Sequence, residues 1–376
     1  MSRRNRLLSA FLAVMTLFLL VFSEFAATKA EALGVSASSA VLIEAESGKV
    51  IYEKNPNVRR GMASTTKIMT ALVAIESCDL EMMVKIPKEA VGIEGSSLYL
   101  TENEVLTLRE LLYALMLRSA NDAATAIAIA VGGSVEGFAD LMNARADEMG
   151  LENTHFVNPH GLDSPEHYTT AYELALIAAE AIKNPLFRQI TSTVSQGISL
   201  NGVPDRRLVV NHNRLLRSYK GCIGVKTGFT KKCGRCLVSA AERNGVTLVA
   251  VTLNAPDDWR DHAIMLDQGF GLYESLELDG SFNGNALIVG GTADTADVFS
   301  HGSVTVAVPK DGRNIRRVFE MRRFYYAPIN EGDVLGRVVY YEGSNELASF
   351  PITAQSSVPK QKVKRGFISW LKALFD

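Results

Sequence analysis

Apolar and polar positions alternate along this chain with more than one period. Residues 38–55, SSAVLIEAESGKVIYEKN, hold two short apolar runs around a turn at Ser47 and Gly48, and predict two strands. ASTTKIMTALVAIE, residues 63–76, passes from small and hydroxylated residues into an apolar, helix-forming series. LTLRELLYALMLRS is apolar on one broad face and opens with a capping box, Thr107 and Glu110. DAATAIAIAVGG predicts a short buried helix with Asp122 as its cap and Gly132-Gly133 as its stop. VEGFADLMNARADEMG closes at Gly150, and TAYELALIAAEAIKNP starts on a second capping box, Thr170 and Glu173, and ends before Pro185. The period then changes: CLVSAAERNGVTLVAVTLNA reads as two strands around Asn244-Gly245, a strong hairpin signal. Strands therefore flank a block of helices, which predicts an α/β (α+β) fold, a sheet with helices packed on it.

From about residue 276 helix signals vanish. SVTVAVP, RRFYYAPI, VLGRVVYYEG and ELASFPI are short alternating runs, expected to form a small all-β domain. The two ends differ again. MSRRNR is basic, LLSAFLAVMTLFLLVFS is continuously apolar, and FAATKAEA offers small residues for cleavage after Ala30 or Ala32, the order of a secretory signal peptide. A retained anchor is the alternative, but the run only just approaches bilayer-spanning length. VPKQKVKRGFISWLKALFD places Phe367, Ile368, Trp370, Leu371, Leu374 and Phe375 on one helical face behind a basic flank, the pattern of an interfacial membrane anchor. The expected division is 1–32 signal, 33–275 main domain, 276–358 β-rich domain and 359–376 amphipathic helix. The chain is expected outside the cytoplasm, peripheral to the outer face of a membrane.

Composition changes this picture little. The 376 residues carry a net charge of −2, with 21% charged residues, so no nucleic-acid-reading surface is implied. Four cysteines, Cys78, Cys222, Cys233 and Cys236, meet an export signal that permits disulfides. CGRC leads into a strand rather than a helix, against a thioredoxin-like pair, and a zinc site would have only His212 as an obvious local partner. A disulfide or inert thiols is the favoured reading, and no metal or cofactor is expected.

The candidate chemistry begins at Ser64 and Lys67. Residues three apart share a helix face, so the lysine lies one turn beneath the serine. In a dry site an amine loses its proton more easily, and a neutral amine beside a hydroxyl is a general base that makes the serine a nucleophile. Alone, S-x-x-K is a weak signal. RSAND adds Ser119 and Asn121 at a helix junction, and VKTGFT adds Lys226, Thr227 and Gly228 just before the hairpin. The set S-x-x-K, S-x-N, K-T-G, in this order, marks penicillin-binding proteins and class A β-lactamases. Ala120 stands where aspartate is usual, but only the flanking Ser and Asn are asked to do chemistry. Ser119 can relay a proton, the Asn121 amide can hold a peptide group, and Lys226 brings positive charge and depresses the Lys67 pKa. Thr227 can bind a terminal carboxylate, Gly228 permits close backbone approach, and the N–H groups of Ser64 and Phe229 form an expected oxyanion hole.

ASTTKIMTAL, LRSANDAA, NPHGLDSPEHYTT, GVKTGFTKKCGRCLVSAAERNGVTLVAV and YYAPINEGDVLGRVVYY together resemble the D-alanyl-D-alanine carboxypeptidases, low-molecular-mass penicillin-binding proteins of peptidase family S11. The resemblance spans nearly the whole mature chain. It implies a penicillin-binding-protein-like catalytic domain with a five-stranded antiparallel sheet and helices on both faces. It also implies removal of the terminal D-alanine from peptidoglycan pentapeptide stems through an acyl-Ser64 intermediate, with β-lactams as covalent inhibitors. By the same resemblance Arg260 is the carboxylate-binding arginine, and His160 lies in a loop bordering the site, where a loop hydrogen bond suffices to explain it. Three other readings stand beside this one. A class A β-lactamase needs a deacylating glutamate, and Glu166 has the wrong surroundings. A D,D-endopeptidase has the same motifs. An inactive wall-binding scaffold is opposed by an intact Ser64, Lys67, Ser119, Asn121 and Lys226.

Overall fold

The computed structural model describes residues 33–200, 202–310 and 314–362. The expected signal segment and most of the expected terminal amphipathic helix lie outside the described residues. Two compact units are present: one built from Gly48–Ala241 and Val249–Asp267 with the chain up to Ile43, the other from Glu44–Ser47, Glu242–Leu248 and the chain from Gln268.

A five-stranded sheet organises the first unit. Its strands are β1 (Ser39–Glu44), β2 (Val50–Lys54), β3 (Cys222–Thr230), β4 (Gly234–Arg243) and β5 (Val246–Leu253), in the order β2-β1-β5-β4-β3. The pairs β1–β2 and β3–β4 are antiparallel. All six residues of β1 are buried, which requires cover on both faces. The β4–β5 connection turns at Asn244 (φ +50°) and Gly245 (φ +77°), both left-handed, as a two-residue hairpin demands. β3 is an edge strand, so one side of its backbone has no strand partner among the described residues.

The helical block between β2 and β3 comprises α1 (Lys67–Ser77), α2 (Leu108–Tyr113), α3 (Asn121–Gly132), α4 (Val135–Glu148), α5 (Ala171–Lys183), α6 (Pro185–Ser192) and α7 (Leu215–Ser218). α1 packs against α3, α4 and α5, and its first eight residues are buried. The α2 capping box forms as expected. At α5 only half of the expected box forms: Thr170 accepts from the Glu173 N–H, but the Glu173 carboxylate instead accepts from Asn153 N–H and Thr154 Oγ1–H. Asp122 is not the cap of α3 either. It lies inside the first turn, and Ala120 caps without a side-chain bond. The helix α8 (Asp258–Leu272) is tied to the sheet by buried His262, which lies 2.5 Å from Ser239 Oγ on β4 and 2.9 Å from Thr252 Oγ1 on β5.

The second unit is β-rich. Its six-stranded sheet is built from Phe282–Val289, Thr295–Ser300, Ile315–Met321, Tyr325–Tyr326, Val334–Glu342 and Asn345–Ala354. Tyr273–Asp279 and Ser303–Pro309 form a separate antiparallel ribbon. One face of the larger sheet closes over Ile288, Val298, Val338 and Ile352. No single helix among the described residues is long and apolar enough to cross a membrane.

Candidate active site

Three elements converge on Ser64. The first is a 3-10 turn, Ala63–Thr66, that leads into α1. Ala63 holds a left-handed φ of +48°, unusual for a residue with a Cβ, and so presents Ser64 at a sharp entry to the helix. The second is the end of α2, which widens into a π-helical turn, Ala114–Arg118, before Ser119 in left-handed conformation (φ +62°). That widened turn and the left-handed residue separate α2 from α3, and Ser119 and Asn121 sit at the break. The third is edge strand β3, carrying Lys226, Thr227, Gly228 and Phe229. Ser64, Ser119, Thr227, Gly228 and Phe229 line one cleft of about 500 Å³.

Lys67 is fully buried at the base of this cleft. Its Nζ lies 3.0 Å from Ser64 Oγ, 2.7 Å from Asn121 Oδ1 and 2.5 Å from the His160 carbonyl oxygen. The last two are pure acceptors and take two N–H bonds. In a neutral amine the remaining tetrahedral position, a lone pair, then faces the Ser64 hydroxyl. Burial, followed by the charge of Lys226, holds the Lys67 pKa well below the ordinary lysine range, against an opposing pull from Asp122. Burial lowers Lys226 to about 7. A desolvated serine–amine pair of this geometry has the arrangement required of a nucleophile and its general base.

The neighbours of the Ser64–Lys67 pair hold it in place. Asn121 Nδ2 donates to the Glu94 carbonyl at 2.5 Å, which fixes the amide so that Oδ1 faces Lys67. Asp122 accepts from Ser97 Oγ and from the N–H groups of Leu98 and Leu100, holding the loop beside the cleft that contributes Ser96. His160 serves through its backbone carbonyl. Its imidazole, lowered to about 3 by burial and then by Lys67, is neutral and accepts from the Leu162 N–H.

Two further residues act on the nucleophile turn. His167 Nδ1 accepts from the Val157 N–H, so the Nε2 proton is directed to Thr66 Oγ1 at 2.7 Å. Thr66 Oγ1 then donates to the Ala63 carbonyl at 2.8 Å. Burial, foremost, keeps His167 neutral, with a pKa of about 4. Gly161 (φ +86°) rests against that same carbonyl, and any Cβ there would overlap the Ala63 oxygen and crowd Thr66 Oγ1. Gly228 has an analogous role on the other side. A Cβ on it would sit 3.0 Å from Ser64 N and 3.1 Å from Thr65 N, over the N–H expected to receive an oxyanion. The sequence pattern explained Gly228 by substrate approach, and the structure adds the approach of the nucleophile turn itself.

Arg260 is placed differently from the expectation. It is exposed on the first turn of α8 and is absent from the cleft lining, because Trp259 and Asp258 are the residues of that turn that face inward. The arginines that line the cleft are Arg214 and Arg235, the latter 2.9 Å from Asp258 Oδ1. The Phe229 side chain is exposed, which leaves its backbone N–H as the group of interest. Glu166 is exposed and does not line the Ser64 cleft, so it is not positioned to activate a water there. All four cysteines are free thiols, so the disulfide alternative is not realised. Burial pushes Cys222 up to about 11 and Cys236 to about 12, which makes both thiols inert. No metal-binding cluster of His, Cys, Asp or Glu occurs among the described residues.

Sequence and fold comparisons bear on the family of the chain. Residues 26–257 match the model of the D-alanyl-D-alanine carboxypeptidase family, peptidase S11, and residues 279–360 match the C-terminal domain of penicillin-binding protein 5. The chain is 33% identical to D-alanyl-D-alanine carboxypeptidase DacF of Bacillus subtilis, over 98% of this chain and 97% of that one. Penicillin binding protein 5 from Haemophilus influenzae superimposes with a TM-score of 0.71 at 26% identity, covering 87% of this chain and 98% of that structure. A Streptomyces DD-transpeptidase superimposes with a TM-score of 0.60 at 34% identity, covering 63% of this chain and 98% of the other. With its motifs gathered around one buried lysine, the chain belongs to peptidase family S11, the D-alanyl-D-alanine carboxypeptidases, and is a serine hydrolase.

Proposed function

We propose that this enzyme removes the terminal D-alanine from peptidoglycan pentapeptide stems, with Ser64 as nucleophile. The observation that carries the reading is the Lys67 amine, buried, with two N–H bonds engaged and its third position 3.0 Å from Ser64 Oγ. Neutral Lys67 takes the Ser64 proton as Oγ attacks the penultimate carbonyl carbon. The oxyanion meets the N–H groups of Ser64 and Phe229. Ser119 passes the proton to the departing D-alanine nitrogen, and the C–N bond breaks. Water then attacks the acyl-Ser64 ester, Lys67 accepts its proton, and that proton returns to Ser64 Oγ. Thr227, with Arg214 and Arg235 nearby, receives the terminal carboxylate. No cofactor takes part in this scheme.

A β-lactam presents the same acyl group to Ser64 while its leaving group stays tethered, so the adduct persists. The basic, apolar N-terminal segment and the basic amphipathic C-terminal stretch support export and attachment to the outer face of a membrane. D,D-endopeptidase cleavage uses the same groups and differs only in what occupies the leaving side.

The test is fluorescent penicillin on the purified chain, with peptide mapping and a D-alanine release assay on a pentapeptide. The expected outcome is one long-lived adduct at Ser64, D-alanine release, and loss of both in Ser64→Ala. Rapid label turnover without D-alanine release supports a β-lactamase instead, and absence of any adduct in folded protein supports a scaffold.

A further inference from the structure

A second cleft, also of about 500 Å³, lies on the other flank of the nucleophile turn. Gly61, Met62 and Ala63 line it, and Ala63 is followed directly by Ser64, which lines the first cleft. Its remaining walls include Arg59, Arg60 and Lys232. None of these three cations pairs with a carboxylate among the described residues. Arg59 is held over the Tyr168 ring at 4.8 Å, with its Nε donating to Asn153 Oδ1. Arg60 Nε donates to Ser39 Oγ at 2.7 Å. The cleft's one acidic side chain, Asp163, already accepts at Oδ1 from Thr230 Oγ1 and Cys233 Sγ. The cleft is therefore net cationic and has guanidinium and ammonium donors to spare.

Its place relative to β3 gives it a direction. Thr227 to Phe229 border the Ser64 cleft, the strand ends at Thr230, and the turn that follows it carries Lys232 and Cys233, which border the second cleft. An extended peptide laid along this open edge would follow the strand. If its terminal carboxylate lies at Thr227, its scissile carbonyl lies at Ser64, and the residues on the acyl side continue toward Lys232. We propose that the second cleft binds a free carboxylate carried on the acyl side of the stem peptide, with Lys232 and Arg60 as its recognition residues. This rests on the reading of Ser64 given above. A fixed guanidinium beside a flexible ammonium distinguishes a carboxylate from its amide, because only the anion forms charge-assisted hydrogen bonds with both.

The test compares D-alanine release from two synthetic pentapeptides that are identical except for one acyl-side carboxylate replaced by its carboxamide. kcat/KM is measured for wild type, Lys232→Glu and Arg60→Gln, beside the second-order rate of acylation by fluorescent penicillin. Wild type is expected to prefer the carboxylate peptide by roughly tenfold or more, the scale of one charged hydrogen bond. Lys232→Glu, at an exposed turn, is expected to erase or invert that preference, and Arg60→Gln to reduce it, with penicillin acylation unchanged in Lys232→Glu. Equal kcat/KM for the two peptides in wild type, or a preference that survives both substitutions, overturns the carboxylate site while leaving the Ser64 assignment intact. Failure of wild type to react with penicillin overturns the assignment beneath it.

Discussion

Lys67, Lys226, Asp122 and His262 are all buried in the unit that carries the cleft. From Tyr273 onward, Ser300 and the phenol of Tyr273 are the only polar side chains buried among the described residues, and the rest of the interior is Ile, Val, Leu, Ala and Phe350. The charged groups of that β-rich unit pair at its surface instead, as Arg337 does with Glu320 and Glu346. Burying an amine is unfavourable unless it is bonded or neutralised. The first unit sustains that disadvantage because a desolvated amine is the reagent the reaction needs. The second unit shows what the same chain does where no reagent is required.

The comparison is broken most severely at Lys67. Lys67→Ala is expected to lower the rate of β-lactam acylation by roughly 10²–10⁴-fold, the usual contribution of a positioned general base. The pH dependence sharpens the point. Acylation requires neutral Lys67, so its rate rises with pH through the depressed Lys67 pKa. Lys226 is one cause of that depression, by like-charge repulsion. Lys226→Met removes the repulsion, so the Lys67 pKa rises and the acid limb of the pH–rate profile moves to higher pH. A limb that stayed in place, or moved down, would exclude Lys67 as the titrating base. Stopped-flow acylation across pH reads this directly.

An intermediate effect is expected at Gly161, where the constraint is steric rather than electrostatic. The residue combines φ +86° with contact against the Ala63 carbonyl, so Gly161→Ala must move either the loop or the nucleophile turn. A 1 Å displacement of a reacting group costs about a hundredfold in rate. Acylation by penicillin is therefore expected to fall by about that factor while far-ultraviolet circular dichroism is retained. Wild-type acylation in Gly161→Ala would show that the Ala63 turn is held by other contacts.

Gly161 also marks the limit of what the chain disclosed before its fold was known. The serine of the nucleophile turn and the lysine that opens α1, the Ser-x-Asn break and the Lys-Thr-Gly strand carry their own spacing, and periodicity located their elements. Ser64, Lys67, Ser119 and Asn121 could be chosen because each is a reactive type at a fixed offset. His167, through Thr66, and Gly161 act on Ala63 from distant sequence, and no local spacing connects residue 167 to residue 66. The quoted stretch NPHGLDSPEHYTT contained both Gly161 and His167, but it gave no signal that they meet the nucleophile turn. Asp122 misled for a related reason. Its position suggested a helix cap, whereas beside the Ala123 N–H of its own helix it accepts from the N–H groups of Leu98 and Leu100 in a distant loop. Arg214 and Arg235 face the cleft and Arg260 does not, because the inward orientation of a first-turn side chain on α8 depends on the helix's rotation against the sheet. That rotation is fixed by His262 between two strands, and is a tertiary fact.

The smallest effect on chemistry is expected in the β-rich unit. Ile352 is fully buried in its core, and Ile352→Ala deletes side-chain atoms that the surrounding strands cannot fully replace. Truncations of this kind cost about 2–5 kcal/mol. If the unit's interior is purely a packing device, that loss appears in its unfolding transition, measured by denaturant titration, and nowhere in the acylation rate at Ser64. The measurement is then a pair on one protein below its unfolding transition: a lower midpoint and an unchanged second-order rate with penicillin. A fall in rate that parallels the fall in stability would mean that the apolar core also holds the catalytic geometry. The division between a unit that buries reagents and a unit that, from Tyr273 onward, buries no charged side chain among the described residues would then describe composition alone.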